Sequence, residues 1–323
     1  MNNPERIEKA QELARRLRQE IGKALVGQEA VVEQVLAALF ASGHVLVEGV
    51  PGLGKTLLVR ALGRAFQGSF QRIQFTPDLM PADVMGHAIY DPKAETFRIR
   101  KGPVFTHLLL ADEINRAPAK TQSALLEAMQ EYQVSIEGES FEVPRPFMVL
   151  ATQNPLEQEG TYPLPEAQLD RFLLKVAMDY PSEPEELGLV RAVTEGLSGD
   201  TLYVDQVAAV ATAADVLELQ GAVSSLRVDE QVAGYAVRIA RTTRDWPGIA
   251  LGAGPRGSIA LLRAARAMAL LAGRDFVLPD DVKAVALPAL RHRITPTPES
   301  EIEGHSADAL LAALLERVEA PRR

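Results

Sequence analysis

"GVPGLGKT", residues 49–56, decides how this chain is read. It fits the spacing G-x-x-x-x-G-K-[ST] without a gap. Upstream, "HVLVEG" (44–49) is short, apolar and β-branched, which predicts a buried strand. Downstream, "TLLVRALGRAF" (56–66) has the spacing of a helix. A strand, a glycine-rich turn and a helix in that order form a cradle for phosphate. Gly52 and Gly54 let the backbone curl so that its N–H groups point at phosphate oxygens. The helix that follows offers its positive end to the same anion. The run Gly49, Val50, Pro51, Gly52, Leu53, Gly54, Lys55, Thr56 and Leu57 is thus the candidate nucleotide loop. Lys55 supplies charge for the β- and γ-phosphates, and Thr56 a hydroxyl ligand for Mg²⁺.

A second stretch, "LLLADEINRA" (108–117), is a buried strand running into two carboxylates. Carboxylates at such a tip need a compensating cation or solvent. In P-loop nucleotide hydrolases a strand beside the loop ends in an Asp that helps hold Mg²⁺. Asp112 fits that place, and Glu113 is where a base could activate water facing the γ-phosphate. A nucleoside triphosphate and Mg²⁺ are therefore the expected ligands.

The remaining sequence fills in the frame. Strands are read at 70–75 and 146–155, helices at 5–22, at 119–132 and between residue 29 and about Ser42, and hairpins at 87–103 and 133–143. Continuously apolar strands alternating with helices predict a parallel sheet covered on both faces. After Pro181 only helical patterns follow, several opened by Pro, Asp or Ser. The expected fold is an α/β core over 1–181 with two inserted hairpins, then an all-helical lid over 184–323.

The totals exclude several classes. With 323 residues and 47% apolar content, one large or two modest domains with a good core are expected. The net charge of −9 counts against a dedicated nucleic-acid binder. There is no cysteine, so disulfides and thiolate metal sites are absent. Histidines at 44, 87, 107, 292 and 305 show no metal-binding spacing, and the single Trp246 reads as packing. The start "MNNPERIEKAQEL" lacks the apolar stretch of a signal peptide, and no run is long enough to span a bilayer. A cytoplasmic protein is the expectation.

Four blocks, "GVPGLGKT", "LLLADEINRAPAKTQSALLEAMQE", "LATQNPLEQEGTYPLPEAQLDRF" and "VLPDDVKAVALPALRHRI", agree in order and spacing with one family. The chain resembles the MoxR family of AAA+ ATPases over roughly residues 25–320. The resemblance implies that Asn154 is the sensor contacting the γ-phosphate or the attacking water. It implies that Arg171 is an arginine finger reaching a neighbouring subunit's nucleotide, and that Arg256 is the second sensor. Read alone, Asn154 is also a strand-end residue before a turn, Arg171 a surface partner for Asp170 or Glu166, and Arg256 an ordinary helix-start Arg. Val26, Gly27 and Gln28 match the adenine-flanking stretch, and Gln74 could restrain Glu113. The resemblance further implies a homo-oligomeric ring, most simply a hexamer, that remodels client proteins. A von Willebrand A domain protein is the implied partner. A DNA-directed motor and a nucleotide-dependent switch with little turnover stay open, and a small-molecule kinase lacks an acceptor motif.

Overall fold

The structure is a computed structural model that describes residues 3–25, 27–50, 52–154, 160–194 and 203–321. The first part contains α1 (Asn3–Gly22), α2 (Glu29–Phe40), β1 (Val45–Glu48), α3 (Lys55–Ala65) and β2 (Phe70–Gln74). It continues with α4 (Pro81–Met85), β3 (Gly86–Asp91), β4 (Thr96–Lys101), β5 (Leu108–Asp112) and α5 (Ala119–Glu131). Next come β6 (Gln133–Ile136), β7 (Glu139–Glu142), β8 (Met148–Gln153), α6 (Glu166–Leu169) and β9 (Leu174–Ala177). The second part opens with α7 (Glu183–Thr194), α8 (Ala213–Ser224), α9 (Glu230–Thr242), β10 (Ile249–Leu251) and α10 (Pro255–Leu271). It closes with α11 (Pro279–Ala284), α12 (Ala286–Leu290), β11 (Thr295–Pro296), α13 (Pro298–Ile302) and α14 (Ala307–Arg317).

The central sheet has five strands in the order β2-β5-β8-β1-β9. Every pairing in it is parallel. Successive residues of one strand feed opposite faces, as a pleat requires. Leu108 and Leu110, with Val45, Val47 and Leu150, join the buried cluster that holds Leu36 of α2 and Leu62 of α3. Leu109 and Ala111, with Leu46, Val149 and Ala151, join the cluster that holds Leu125 and Met129 of α5. Both faces are covered, which is why these strands are apolar without alternation.

The inserted hairpins form where the sequence places them. β3 pairs antiparallel with β4, and β6 with β7. In the second, Glu137 and Gly138 take positive φ of 50° and 84°, the geometry of a tight two-residue hairpin turn.

The second part is a helical lid. The side chains of Asp229 and Ser306 accept backbone N–H bonds at the starts of α9 and α14, and Pro255 and Pro279 occupy first helical turns. It is not wholly helical, since β10 pairs antiparallel with β11. Segments of three and two residues are too short to leave a periodic signal. α10 packs on α2, and α1 packs on α3, α8 and α10, so one buried cluster runs from the sheet into the lid.

Candidate nucleotide-binding and catalytic site

The phosphate loop leaves β1 at the C-terminal edge of the sheet. A Cβ on Gly49 would lie 2.7 Å from the Met178 carbonyl oxygen, so only glycine fits there. Gly52 and Gly54 sit at φ of 90° and 86°, in the left-handed region that glycine adopts without strain. Gly54 caps α3, whose first residue is Lys55. Val50 and Thr56 are half-buried at the rim, Leu57 is buried beneath, and Leu53 packs on the same cluster. The Lys55 ammonium donates to the Gly49 carbonyl at 2.5 Å. Burial lowers its pKa, while the carboxylates of Asp112, Glu113 and Glu48 pull the other way. A cation is thus held at the start of α3, against the Gly49 carbonyl and within the field of three carboxylates. Pro51 and Val26 lie outside the described residues.

The carboxylates are fixed by their neighbours in the sheet. Asp112 ends β5, between β2 and β8. The Thr152 hydroxyl donates to Asp112 Oδ1 at 2.6 Å, and Arg72 donates to Oδ2 at 2.6 Å. The same Thr152 oxygen accepts from the Glu113 backbone N–H at 2.8 Å. Glu113 has φ of 56°, a left-handed conformation that costs a non-glycine residue on the order of 1 kcal/mol or more. Its carboxylate accepts from Gln74 Nε2 at 2.6 Å and pairs with Arg116 at 3.1 Å. Asn154 lies just past the end of β8 and is buried.

These donors suit Mg²⁺. It is a hard cation that takes oxygen ligands, commonly one or two carboxylates plus substrate phosphates. Thr56 offers a hydroxyl and Asp112 a carboxylate that keeps acceptor capacity beyond its present bonds. Among the described residues no group of three or more His, Cys, Asp or Glu could hold a metal by itself.

The adenine-flanking candidates stand beside the loop. A Cβ on Gly54 would lie 3.8 Å from Leu25, and Gln28 donates to the Asp179 carbonyl at 3.3 Å. Gly27 takes φ of 74° with Glu185 of α7 against it. The segment is therefore flanked by the passage from sheet to lid.

Arg171 and Arg256 are elsewhere. β9 runs parallel to β1 with Leu174 opposite Val45, so Arg171 precedes the N-terminal edge of the sheet. The phosphate loop follows the other edge, at least about 10 Å away at about 3.3 Å per strand residue. Arg171, Arg256 and Arg293 line a cavity of about 340 Å³ with Ser42, His44 and Tyr132. Asp170 pairs with Arg293 at 2.7 Å and with Arg256 at 3.8 Å, and Glu166 accepts from Thr295. The Arg171 side chain makes no ion pair or hydrogen bond among the described residues. His44 nearby is fully buried: Val149 N–H donates to its Nδ1 and its Nε2 faces the Met129 carbonyl at 3.0 Å. Burial pushes its pKa down to about 4.

Sequence reading missed several of these partners. Arg72 and Gln74 are two residues apart on β2 and so share a face, a spacing that could have flagged Arg72. Thr152 is a hydroxyl in an otherwise apolar strand, a weaker signal of the same kind. Arg293 left no local signal, because its partners in the core, Asp170, Phe172 and Leu173, are more than a hundred positions away.

Comparison with known proteins agrees with this geometry. Residues 44–174 match the model for the ATPase family associated with various cellular activities (AAA), and residues 241–314 that for the AAA lid domain. The chain is 47% identical to Uncharacterized protein YeaC of Bacillus subtilis, over 93% of this chain and 92% of that one. It is 44% identical to Chaperone MoxR1 of Mycobacterium tuberculosis, over 94% and 81% respectively. It is 33% identical to Protein MoxR of Methylorubrum extorquens, over 95% of each. The crystal structure of a candidate ATPase from Cytophaga hutchinsonii superposes with a TM-score of 0.90 at 40% identity, covering 99% of this chain and 98% of that one. The likeness runs through core and lid alike, and the chain belongs to the MoxR family of AAA+ ATPases.

Proposed function

We propose that this ATPase hydrolyses Mg·ATP at sites shared between neighbouring copies in a ring, most simply a hexamer. The observation that carries the reading is the placement of Arg171 and Arg256 at the edge of the sheet opposite Lys55, Asp112 and Glu113. A guanidinium on the far edge does not reach its own subunit's γ-phosphate, but a head-to-tail ring brings one edge against the other.

In this reading the loop amides and Lys55 hold the β- and γ-phosphates, and Gly27 and Gln28 flank the adenine. Thr56 and Asp112 would hold Mg²⁺, which supplies charge neutralisation between those phosphates. Glu113 takes a proton from the attacking water, which Asn154 orients. Arg171 of a neighbour stabilises charge on the transferring phosphoryl group, with Arg256 beside it. The division between core and lid lies near 181–184, and their relative angle carries the output.

That output remodels client proteins, in keeping with the relative named a chaperone, in the cytoplasm and with a von Willebrand A domain partner. The net charge of −9 does not favour DNA as the client. No helix among the described residues is long and apolar enough to cross a membrane. The test is turnover per subunit against protein concentration, with mass followed by light scattering. Activity should rise in step with ring assembly. A monomer as active as the assembled protein would overturn the proposal.

A further inference from the structure

Just after α12, residues 291–293 turn back onto the core. Arg291 donates to the Lys175 carbonyl at 3.3 Å, and His292 Nε2 lies 3.1 Å from the Phe172 carbonyl. Arg293 reaches furthest. Its Nε donates to Asp170 Oδ1 at 2.7 Å. Its Nη2 donates to the carbonyls of Phe172 at 2.6 Å and Asp170 at 3.2 Å. Its Nη1 donates to the Leu173 carbonyl at 3.2 Å and to that of Ala289. Those bonds occupy every N–H of a guanidinium. The side chain is only 4% exposed, so releasing it would strand a buried cation and several carbonyls.

Arg171 sits inside this clasp. The carbonyls before and after it, of Asp170 and Phe172, are both held by Arg293, while its own side chain faces the cavity. The Asp170 carboxylate, shared with Arg256, extends the tie to the first turn of α10. Arg293 itself has no donor left for a phosphate.

We infer that Arg293 is a positioning residue that ties the aim of Arg171 to the place of its own subunit's lid. The inference rests on the reading of Arg171 as acting on a neighbour's nucleotide. A lid that turns on its own ATP would carry residues 170–173 with it. Since a misplacement of about 1 Å can cost about 10²-fold in rate, a small turn of one lid would gate hydrolysis next door.

The test is Arg293→Lys, alone and combined with Arg171→Ala. A single ammonium keeps the charge but cannot span Asp170, Phe172 and Leu173 together. Arg293→Lys should bind ATP as the parent does, by titration with a fluorescent analogue, and lose about 10²-fold in kcat. The double variant should be no slower than Arg171→Ala alone. A normal kcat in Arg293→Lys, or losses that multiply in the double variant, would overturn the inference. Should Arg293→Lys not fold, Asp170→Asn removes only the charge from the clasp. It should lower kcat in the parent and do nothing in the Arg171→Ala background, and either failure overturns the tie. A normal kcat in Arg171→Ala alone would instead remove the reading beneath it.

Discussion

The two edges of the central sheet solve opposite electrostatic problems. At the C-terminal edge, carboxylates end buried strands, and they are steadied by Thr152, Arg72, Gln74 and Arg116. At the N-terminal edge, guanidinium groups gather around one carboxylate, Asp170, and Arg293 is satisfied largely by backbone carbonyls. The first edge is built to receive a cation and a polyanion together. The second presents positive charge outward in Arg171 and Arg256. In the proposed reading, neither edge completes a hydrolytic site by itself. The difference teaches that strand direction, fixed by parallel pairing, sorts acidic and basic side chains onto opposite surfaces of one subunit.

Removing charge from the N-terminal edge should be the most damaging change. Arg171→Ala should keep ATP affinity and lose about 10³-fold or more in turnover, the scale of an arginine finger. Equal binding and equal turnover would place the second edge outside the reaction.

Acid should loosen the same edge first. His44 is buried neutral with a pKa near 4, against 6.5 for the free side chain. The unfolded chain therefore binds the proton more readily than the folded one. The stability this group provides is complete above about pH 6.5 and declines as pH falls towards 4, by about 3 kcal/mol in all. Burial holds His292 well below its usual range too, which adds a loss of the same sign. Urea unfolding at pH 7.5 and 4.5 should show the decline, and His44→Gln should show less of it. An unchanged midpoint across that range would contradict the burial argument.

At the C-terminal edge, Thr152→Val leaves the Glu113 N–H and Asp112 Oδ1 without their shared hydroxyl. A loss of about 1–3 kcal/mol in stability is expected, with a higher Mg²⁺ requirement for turnover. If neither changes, Thr152 does not hold the carboxylates. The smallest effect is expected from Gln74→Ala, which frees the Glu113 carboxylate from one bond at 2.6 Å. Turnover should shift several-fold while ATP affinity stays put, about the worth of one exposed hydrogen bond. A change in affinity without one in rate would assign Gln74 to binding.

The two edges also differ in what the sequence disclosed. The phosphate loop and the acidic strand end are each contiguous, because a strand, a turn and a helix start must follow one another to build them. Lys55, Asp112 and Glu113 could be named from local chemistry, and the parallel sheet from the unbroken apolar runs. The N-terminal edge is assembled from residues near 42, 171, 256 and 293, which meet only through packing of α10 and α12 on the core. Arg171 was found by resemblance to a family. Arg293 was not found at all, since nothing in "LRHRI" (290–294) tells which of its basic residues folds back onto the core. Likewise β10 and β11 were missed, being shorter than any period they could display.

The most direct test of a site divided between edges is to mix Arg171→Ala with Glu113→Gln, each nearly inactive alone. In mixed rings some interfaces join an intact Glu113 from one subunit to an intact Arg171 from the next. Turnover should recover to about a quarter of the parent rate at equal proportions, the chance that a given interface has both intact partners in a head-to-tail ring. A mixture that exchanges subunits yet never exceeds the sum of its parts would contradict the account.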